Sequence, residues 1–410
     1  MTKLKQIYSI LLAAYILTSL LMAQAIYNKL IFVSLFIIYE VYLLFFKKEK
    51  KINWATYAPF LIIGIFVYGF LQGMIHEFEF SLAKQFLLVT ASFLLIYPIE
   101  EFQIDMNRLL RIIAPIYLLL YAIYVLYGIN IMDYDLPVFV EKFCGFLDNG
   151  VTRTIGQTIL ELDAGGGGIK YRSYFEGVGM MIHLGSTPFL FIFTNICLID
   201  FMKNKSKMGL VWTLLGVLLS LTTGSRALML LMAASVCVLI ILQLDRKKQL
   251  IVIGVCAALG VGAFVYLLTN STFFSLDEPS NSVKIGHIAS YFDQLNVKQA
   301  LIGDGLATKY FSTGVNGYLA HTEITLMDYW RYFGIPLGCA VYGLLIFPKK
   351  NSNWNPLKMK PETAVFLLYL LFSQTNPVLF NSFGLISVLW YWDVIFRYSE
   401  KEKIKVLSDD

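Results

Sequence analysis

Apolar runs long enough to cross a bilayer recur from one end of this chain to the other. That recurrence fixes the solvent before it fixes anything else. A spanning helix needs roughly 20 predominantly apolar residues, within about 17–25. Such runs lie near residues 7–27, 30–46, 54–75, 82–99, 110–131, 177–200, 208–223, 226–243, 249–269, 324–347, 363–379 and 383–397. Hydrocarbon offers no partner to a backbone N–H or C=O, so segments of this kind fold as helices, which satisfy those groups internally. The expectation is an all-α polytopic membrane protein with about twelve transmembrane helices. Composition agrees: 57% of the 410 residues are hydrophobic and 15% charged, with mean hydropathy +0.65, which excludes an ordinary soluble globule. The run Ile7 to Ala25 follows only Lys3 and Lys5. It is long for a signal peptide and lacks a clear small-residue cleavage site, so it is read as a retained span.

Basic residues set the expected orientation, because Lys and Arg concentrate in cytoplasmic loops. With the N-terminus inside, 22 of the 33 fall on inner segments and 11 on outer ones, although the outer loops are longer. Both termini are therefore expected in the cytoplasm. The net charge of +5 is a topology signal and no sign of nucleic-acid binding. The five cysteines form no CxxC or Cys/His spacing, and no metal-ligand cluster or cofactor motif is present.

The chain then divides into a five-helix membrane region (1–131), a first long outer loop (132–176), central helices (177–269), a second long outer loop (270–323), and a C-terminal three-helix region with a cytoplasmic tail (324–410). Loops of this length in compact proteins are usually functional or disordered. The aromatic residues Phe143, Phe146, Tyr171, Tyr174 and Phe175 argue against disorder in the first. Its run Gly165–Gly168 is a flexible turn and no phosphate loop, since no lysine and helix follow. In the second, Val283–Leu295 reads as an amphipathic helix with Lys284 and His287 on one face. Thr313–Gly317 reads as a flexible glycine-containing loop.

Chemistry-bearing residues gather on the expected outer face. Arg172 and Glu176 precede the sixth span, Arg226 opens the eighth, and His321 and Glu323 precede the tenth, with Asp328 and Arg331 in its first turns. A helix N-terminus presents free N–H groups and the positive end of its dipole, so it attracts anions. Thr222, Thr223 or Ser225 supplies a cap for the eighth helix. Arginine at such an end pairs phosphate oxygens bidentately. Plainer readings stand beside these. Arg226 can snorkel to headgroups, Arg331 can pair with Asp328 or Glu323, Glu176 can balance Arg172, and His321 can be an ordinary loop histidine.

Leu221-Thr-Thr-Gly-Ser-Arg-Ala-Leu228 resembles the small-residue, Ser-Arg motif of the O-antigen polymerase and ligase superfamily, the Wzy-like polymerases and WaaL ligases. Tyr171-Arg-Ser-Tyr-Phe-Glu176 is similar to the arginine motif before a span in Wzy-like proteins, with Gly177 where proline often follows. Ile302-Gly-Asp-Gly-Leu306, Ala320-His-Thr-Glu323 and Gly334-Ile-Pro-Leu-Gly338 resemble that family's glycine-rich, histidine and late glycine succession, the last one residue longer. The resemblance covers roughly residues 170–340; the first five spans carry no matching motif.

The resemblance implies a metal-independent glycosyltransferase at the outer face of a bacterial plasma membrane, needing no cofactor. It would join undecaprenyl-diphosphate-linked oligosaccharides in O-antigen, capsule or exopolysaccharide synthesis. Arg172 and Arg226 would bind the diphosphate, with Lys284 and Arg331. His321 would orient or deprotonate the acceptor hydroxyl, with Glu176 or Glu323 as the rival base. Implied partners are the lipid-linked donor and acceptor, the bilayer, a flippase and a chain-length regulator. The loop arrangement favours a polymerase over a ligase-type transferase. A lipid-linked oligosaccharide flippase or other transporter is the reading from another class, and the chain lacks the internal repeats such proteins tend to show.

Overall fold

A computed structural model describes residues 2–22, 26–47, 56–128, 169–170, 181–182, 186–223, 225–245, 247–249, 251–255, 262, 279–349, 359–376, 378–381 and 384–409. The helices are α1 (Thr2–Met22), α2 (Ile26–Phe45), α3 (Ala58–Gly73), α4 (Phe80–Ala91), α5 (Ile96–Glu101), α6 (Met106–Gly128), α7 (Phe189–Asn204), α8 (Lys207–Leu221), α9 (Arg226–Ile241), α10 (Pro279–Gln294), α11 (Val297–Ile302), α12 (Thr325–Ile346), α13 (Pro361–Phe372) and α14 (Gly384–Asp409). A 3-10 turn, Ser92–Leu95, joins α4 to α5. Strands β1 (Ile169–Lys170) and β2 (Met181–Ile182) pair antiparallel, as do β3 (Tyr310–Ser312) and β4 (Gly317–Leu319).

The chain is thus mostly helical, and the strands are its departure from an all-α expectation. Asn28–Phe45, Phe80–Glu101 and Met106–Ile123 are long and apolar enough to cross a membrane; Ala58–Gly73, Lys207–Leu221, Arg226–Ile241 and Pro361–Phe372 are shorter apolar helices. The sixth predicted span, 177–200, is corrected. Its helix begins only at Phe189, and Met181–Ile182 pairs as a strand instead. Pro188 stands at the start of the helix, where a missing N–H costs nothing.

The chain splits into two compact units. One comprises residues 1–50, 98–244 and 360–365. In it α7 is buried along Phe189–Ile199 and packs against α6, α8 and α9. Gly216 of α8 presses on the Thr194 side chain, where no Cβ would fit. Such small-residue contacts are how helices approach closely in lipid. One end of this unit carries ion pairs: Lys47–Glu101, Arg111–Asp200 and Lys203–Glu362, each at 2.6 Å.

The other unit comprises residues 51–97, 245–359 and 366–410. Its core is aromatic: Phe66, Phe93, Tyr329, Phe333, Phe380 and Trp392 interlock at centroid spacings of 4.8–6.0 Å. Here α3 and α12 run antiparallel. At one end Ala58 N–H donates to the Pro348 carbonyl and Thr56 bridges Lys349. At the other, the turn after α3 meets the segment before β3: Glu79 N–H donates to Ala307 O at 2.9 Å, and Lys309 N–H to Glu77 O at 3.1 Å. The region 279–323 therefore caps the end where α3 finishes and α4 and α12 begin. In the exposed turn after α3, Glu77 meets Lys309 through the backbone and through a 3.2 Å ion pair.

Candidate functional site

The site is organised by a break in α12. Gly334 leaves the helix at φ +80°, and Pro336 follows two residues later. A regular helix would bond the Tyr332 carbonyl to the N–H of residue 336, which proline lacks. The Gly-Asp-Gly loop supplies the missing donors: Asp304 N–H reaches Arg331 O at 2.8 Å, and Gly305 N–H reaches Tyr332 O at 3.1 Å. The approach is so close that a Cβ on Gly303 (φ +73°) would meet the Gly334 nitrogen at 2.6 Å. Leu306 N–H then donates to Gly69 O of α3 at 2.7 Å. Two stretches flagged separately in the sequence are thus one structural device. Burial pushes the Asp304 carboxyl above its ordinary range, against the opposing pull of Arg331.

One turn earlier, Asp328 is the hub, with none of its surface exposed. Its Oδ2 accepts from Thr322 N–H at 2.8 Å and from the Thr322 hydroxyl at 3.0 Å. Its Oδ1 lies 3.3 Å from Arg331 Nη2. His321 Nδ1 lies 3.0 Å from Oδ2, at ion-pair distance but out of line for an ideal hydrogen bond. A buried carboxylate in a helix's first turn is stabilised by the N-terminal dipole. Its charge beside Nδ1 also favours, in a neutral imidazole, the tautomer with hydrogen on that nitrogen and Nε2 as acceptor. Phe86 packs edge-on to the His321 ring at 5.7 Å. The histidine remains 28% exposed, so its outer nitrogen is not sealed in.

Arg331 is 4% exposed and spends its terminal donors on the protein. Nη1 donates to the Thr308 carbonyl and hydroxyl, and Nη2 to the Ala320 carbonyl and Asp328. The rings of Tyr310 and Tyr332 cover its plane at 4.5 and 4.7 Å, a cation–π sandwich. Burial pushes the Tyr310 hydroxyl up to about 12, so that ring stays neutral. With its terminal donors so engaged, Arg331 holds the Asp328 carboxylate and the Thr308 and Ala320 backbone, and this arrangement lends no support to the expectation that it binds a diphosphate.

Lys284 pairs with Glu323 at 3.1 Å, which joins α10 to the turn carrying His321. His287, one turn along, lies about 60° from Lys284 around the helix, on the face the spacing predicts. Its Nδ1 meets the Ser312 hydroxyl at 2.6 Å, buried, and burial lowers its pKa, with Asp328 and Glu323 opposing. Thr313–Gly317, expected as a flexible loop, is the four-residue turn of the β3–β4 hairpin, 313–316, with the first residue of β4. It is pinned by Thr313 N–H to the Ser290 hydroxyl at 2.8 Å and by Gly314 packed on Gly286. Asp328 is the residue that sequence reading undervalued. Its signal was a carboxylate seven residues after a histidine, across a helix start.

Arg226 belongs to the other unit. It is the first residue of α9, and Ser225 caps the helix, its hydroxyl accepting from Leu228 N–H at 3.4 Å. Thr223 steadies the turn, accepting from Ser225 N–H at 3.1 Å. The 15 residues of α8 separate this end from the ion-paired end by about 22 Å at 1.5 Å per residue. Arg172 and Glu176 lie outside the described residues.

No family model, no curated protein and no solved structure matches this chain.

Proposed function

We propose that this protein is a membrane glycosyltransferase acting on lipid-diphosphate-linked oligosaccharides, with His321 as the base that activates the acceptor. The observation that carries the reading is the partly exposed His321 imidazole set against the buried Asp328 carboxylate at 3.0 Å. In the reaction the acceptor hydroxyl oxygen bonds to the donor's anomeric carbon. The bond from that carbon to the diphosphate breaks, and its electron pair leaves with the lipid diphosphate. The hydroxyl proton passes to Nε2 of His321. Asp328 is a positioning residue and stabilises the imidazolium that forms. Cations near the leaving group lower the barrier because charge develops there; the family resemblance assigns that role to Arg226 and Arg172, and a lesser one to Lys284. Glu176 and Glu323 remain the rival bases.

About twelve spans, cytoplasmic termini and a site on the outer face of a bacterial plasma membrane belong to the same proposal. So does undecaprenyl as the lipid, with polymerisation preferred over ligase-type transfer. A transporter is favoured by one observation, the discontinuous helix α12, since transporters place broken helices at their substrate sites. Here the freed carbonyls are taken by the Gly-Asp-Gly loop, which supports the enzyme reading.

The test uses purified protein in liposomes with lipid-linked oligosaccharide. His321→Ala should lower transfer by about 10²–10⁴-fold, the usual worth of general base catalysis, with donor binding retained. Asp328→Asn should lower the rate constant more than it raises KM. Near-normal turnover by a well-folded His321→Ala protein would remove the mechanism. Passage of intact substrate across the bilayer without transfer would favour the transporter.

A further inference from the structure

Helix α10 has its polarity the wrong way round for a helix lying in water. His287, Ser290 and Tyr291 are buried and face the β3–β4 hairpin and α12. The face directly opposite should be polar. Instead Ile285, Ile288, Ala289 and Phe292 fall within an arc of about 100° there, at 100° per residue, with Asn281 in the first turn as its one polar member. Phe292 is 57% exposed. Ser282 and Asp293 flank the arc on one side and Lys284 on the other. Helix α11 exposes apolar side chains as well, Leu301 at 58% with Ile302 beside it in sequence.

Something else locates this surface. The Tyr68 hydroxyl of α3 donates to the Ile302 carbonyl at 2.9 Å. Tyr68 is five residues from the helix end at Gly73, or about 8 Å along the axis. On either side of it α3 exposes Val67 and Leu71, the row a membrane helix turns to lipid. The apolar edge of α11 is therefore continuous with the lipid-facing side of α3, at a depth near the helix end. An interfacial helix buries its apolar face about 5–10 Å into the headgroup and acyl boundary, which matches.

We propose that α10 and α11 form an interfacial helical pair whose exposed apolar arc is seated in the membrane leaflet at the end where α3 finishes. The bilayer is the occupant, and the polar flanks lie at headgroup level. The inference needs only a membrane-embedded α3 and does not depend on the transferase reading. Because Lys284 and Ser312 tie α10 to the turn and hairpin beside His321, the anchoring would hold that histidine at headgroup depth.

Full-length protein in vesicles of phosphatidylcholine and phosphatidylglycerol tests this. Tryptophan is added at Ile288→Trp, Phe292→Trp or Leu301→Trp, with Ser282→Trp and Asp293→Trp as flank controls; the six native tryptophans give the baseline. The three face positions should show blue-shifted added emission, quenched by lipid brominated near the glycerol end and less by lipid brominated near the chain end. The flank positions should show neither. Quenching no greater than at the flanks would overturn the proposal. So would protection from water without lipid quenching that disappears on dilution in the bilayer, which would assign the face to a second copy. If the variants do not fold, photoactivatable phosphatidylcholine applied to the native chain should label the peptide containing 285–292. No adducts there, with adducts on α3, would overturn it equally.

Discussion

Arg226 and Arg331 both stand near the start of an apolar helix after a short polar stretch, yet they meet different surroundings. Arg226 is half-buried at the tip of α9, beside a capping serine. Arg331 sits in the second turn of α12, inside the protein, between two tyrosine rings and four oxygen partners. Both carry the same charge and the same fork of donors. What differs is burial: Arg331 is 4% exposed, and Arg226 is only half-buried. An enclosed arginine held by its own chain stabilises structure; one at a helix tip adds to a positive end that can meet an anion.

The largest effect should come from breaking the buried pair. Arg331→Ala leaves the Asp328 carboxylate uncompensated, and losing one partner of such a pair costs about 3–5 kcal/mol. Thermal unfolding in detergent should fall sharply, whereas Arg226→Ala, at a half-buried helix tip, should lower it less. If the two variants exchanged these results, the contrast drawn between them would be reversed.

Next in size, Arg226→Lys should cost transfer roughly 100- to 1,000-fold, the loss typical of one preorganised electrostatic contact to a leaving group. Lysine keeps the charge but not the bidentate fork. Full activity of the lysine variant in the liposome assay would place Arg226 with the anchors instead.

The smallest effect is set by His287, which acts on stability alone. Burial lowers its folded pKa below the ordinary value of 6.5. The unfolded chain therefore binds the proton more readily, so stability falls as pH drops below about 6.5 and is insensitive to this group above it. Unfolding followed across that window should show the slope in the native protein and a weaker one in His287→Gln. An equal slope in both would acquit the histidine.

Helices were legible because lipid-length apolar runs leave the backbone one solution. Boundaries were less so: the sixth span looked continuous with 177–188 by hydropathy, and only Pro188 hinted that the helix starts later. In α12 the residues Gly334 and Pro336 were visible as a motif. That they interrupt the helix follows from the orphaned Tyr332 carbonyl, whose partner lies about thirty residues upstream in a loop. Pattern reading cannot supply such a partner. The same limit hid Asp328. Its pairing with Arg331 is a one-turn relation within a helix, readable from spacing, whereas its grip on His321 depends on a turn folding back. The geometry of Arg172 and Glu176 falls outside the described residues.

The Gly-Asp-Gly loop and the interruption at Gly334 and Pro336 also constrain how this chain can drift over generations. A lineage that mended α12 by losing Pro336 would give the Tyr332 carbonyl a partner within the helix and strand the Gly305 amide. One that altered the loop first would leave two carbonyls facing an apolar interior. Each change is harmful before the other arrives, so the two stretches should be inherited as one unit. Relatives should carry both or neither.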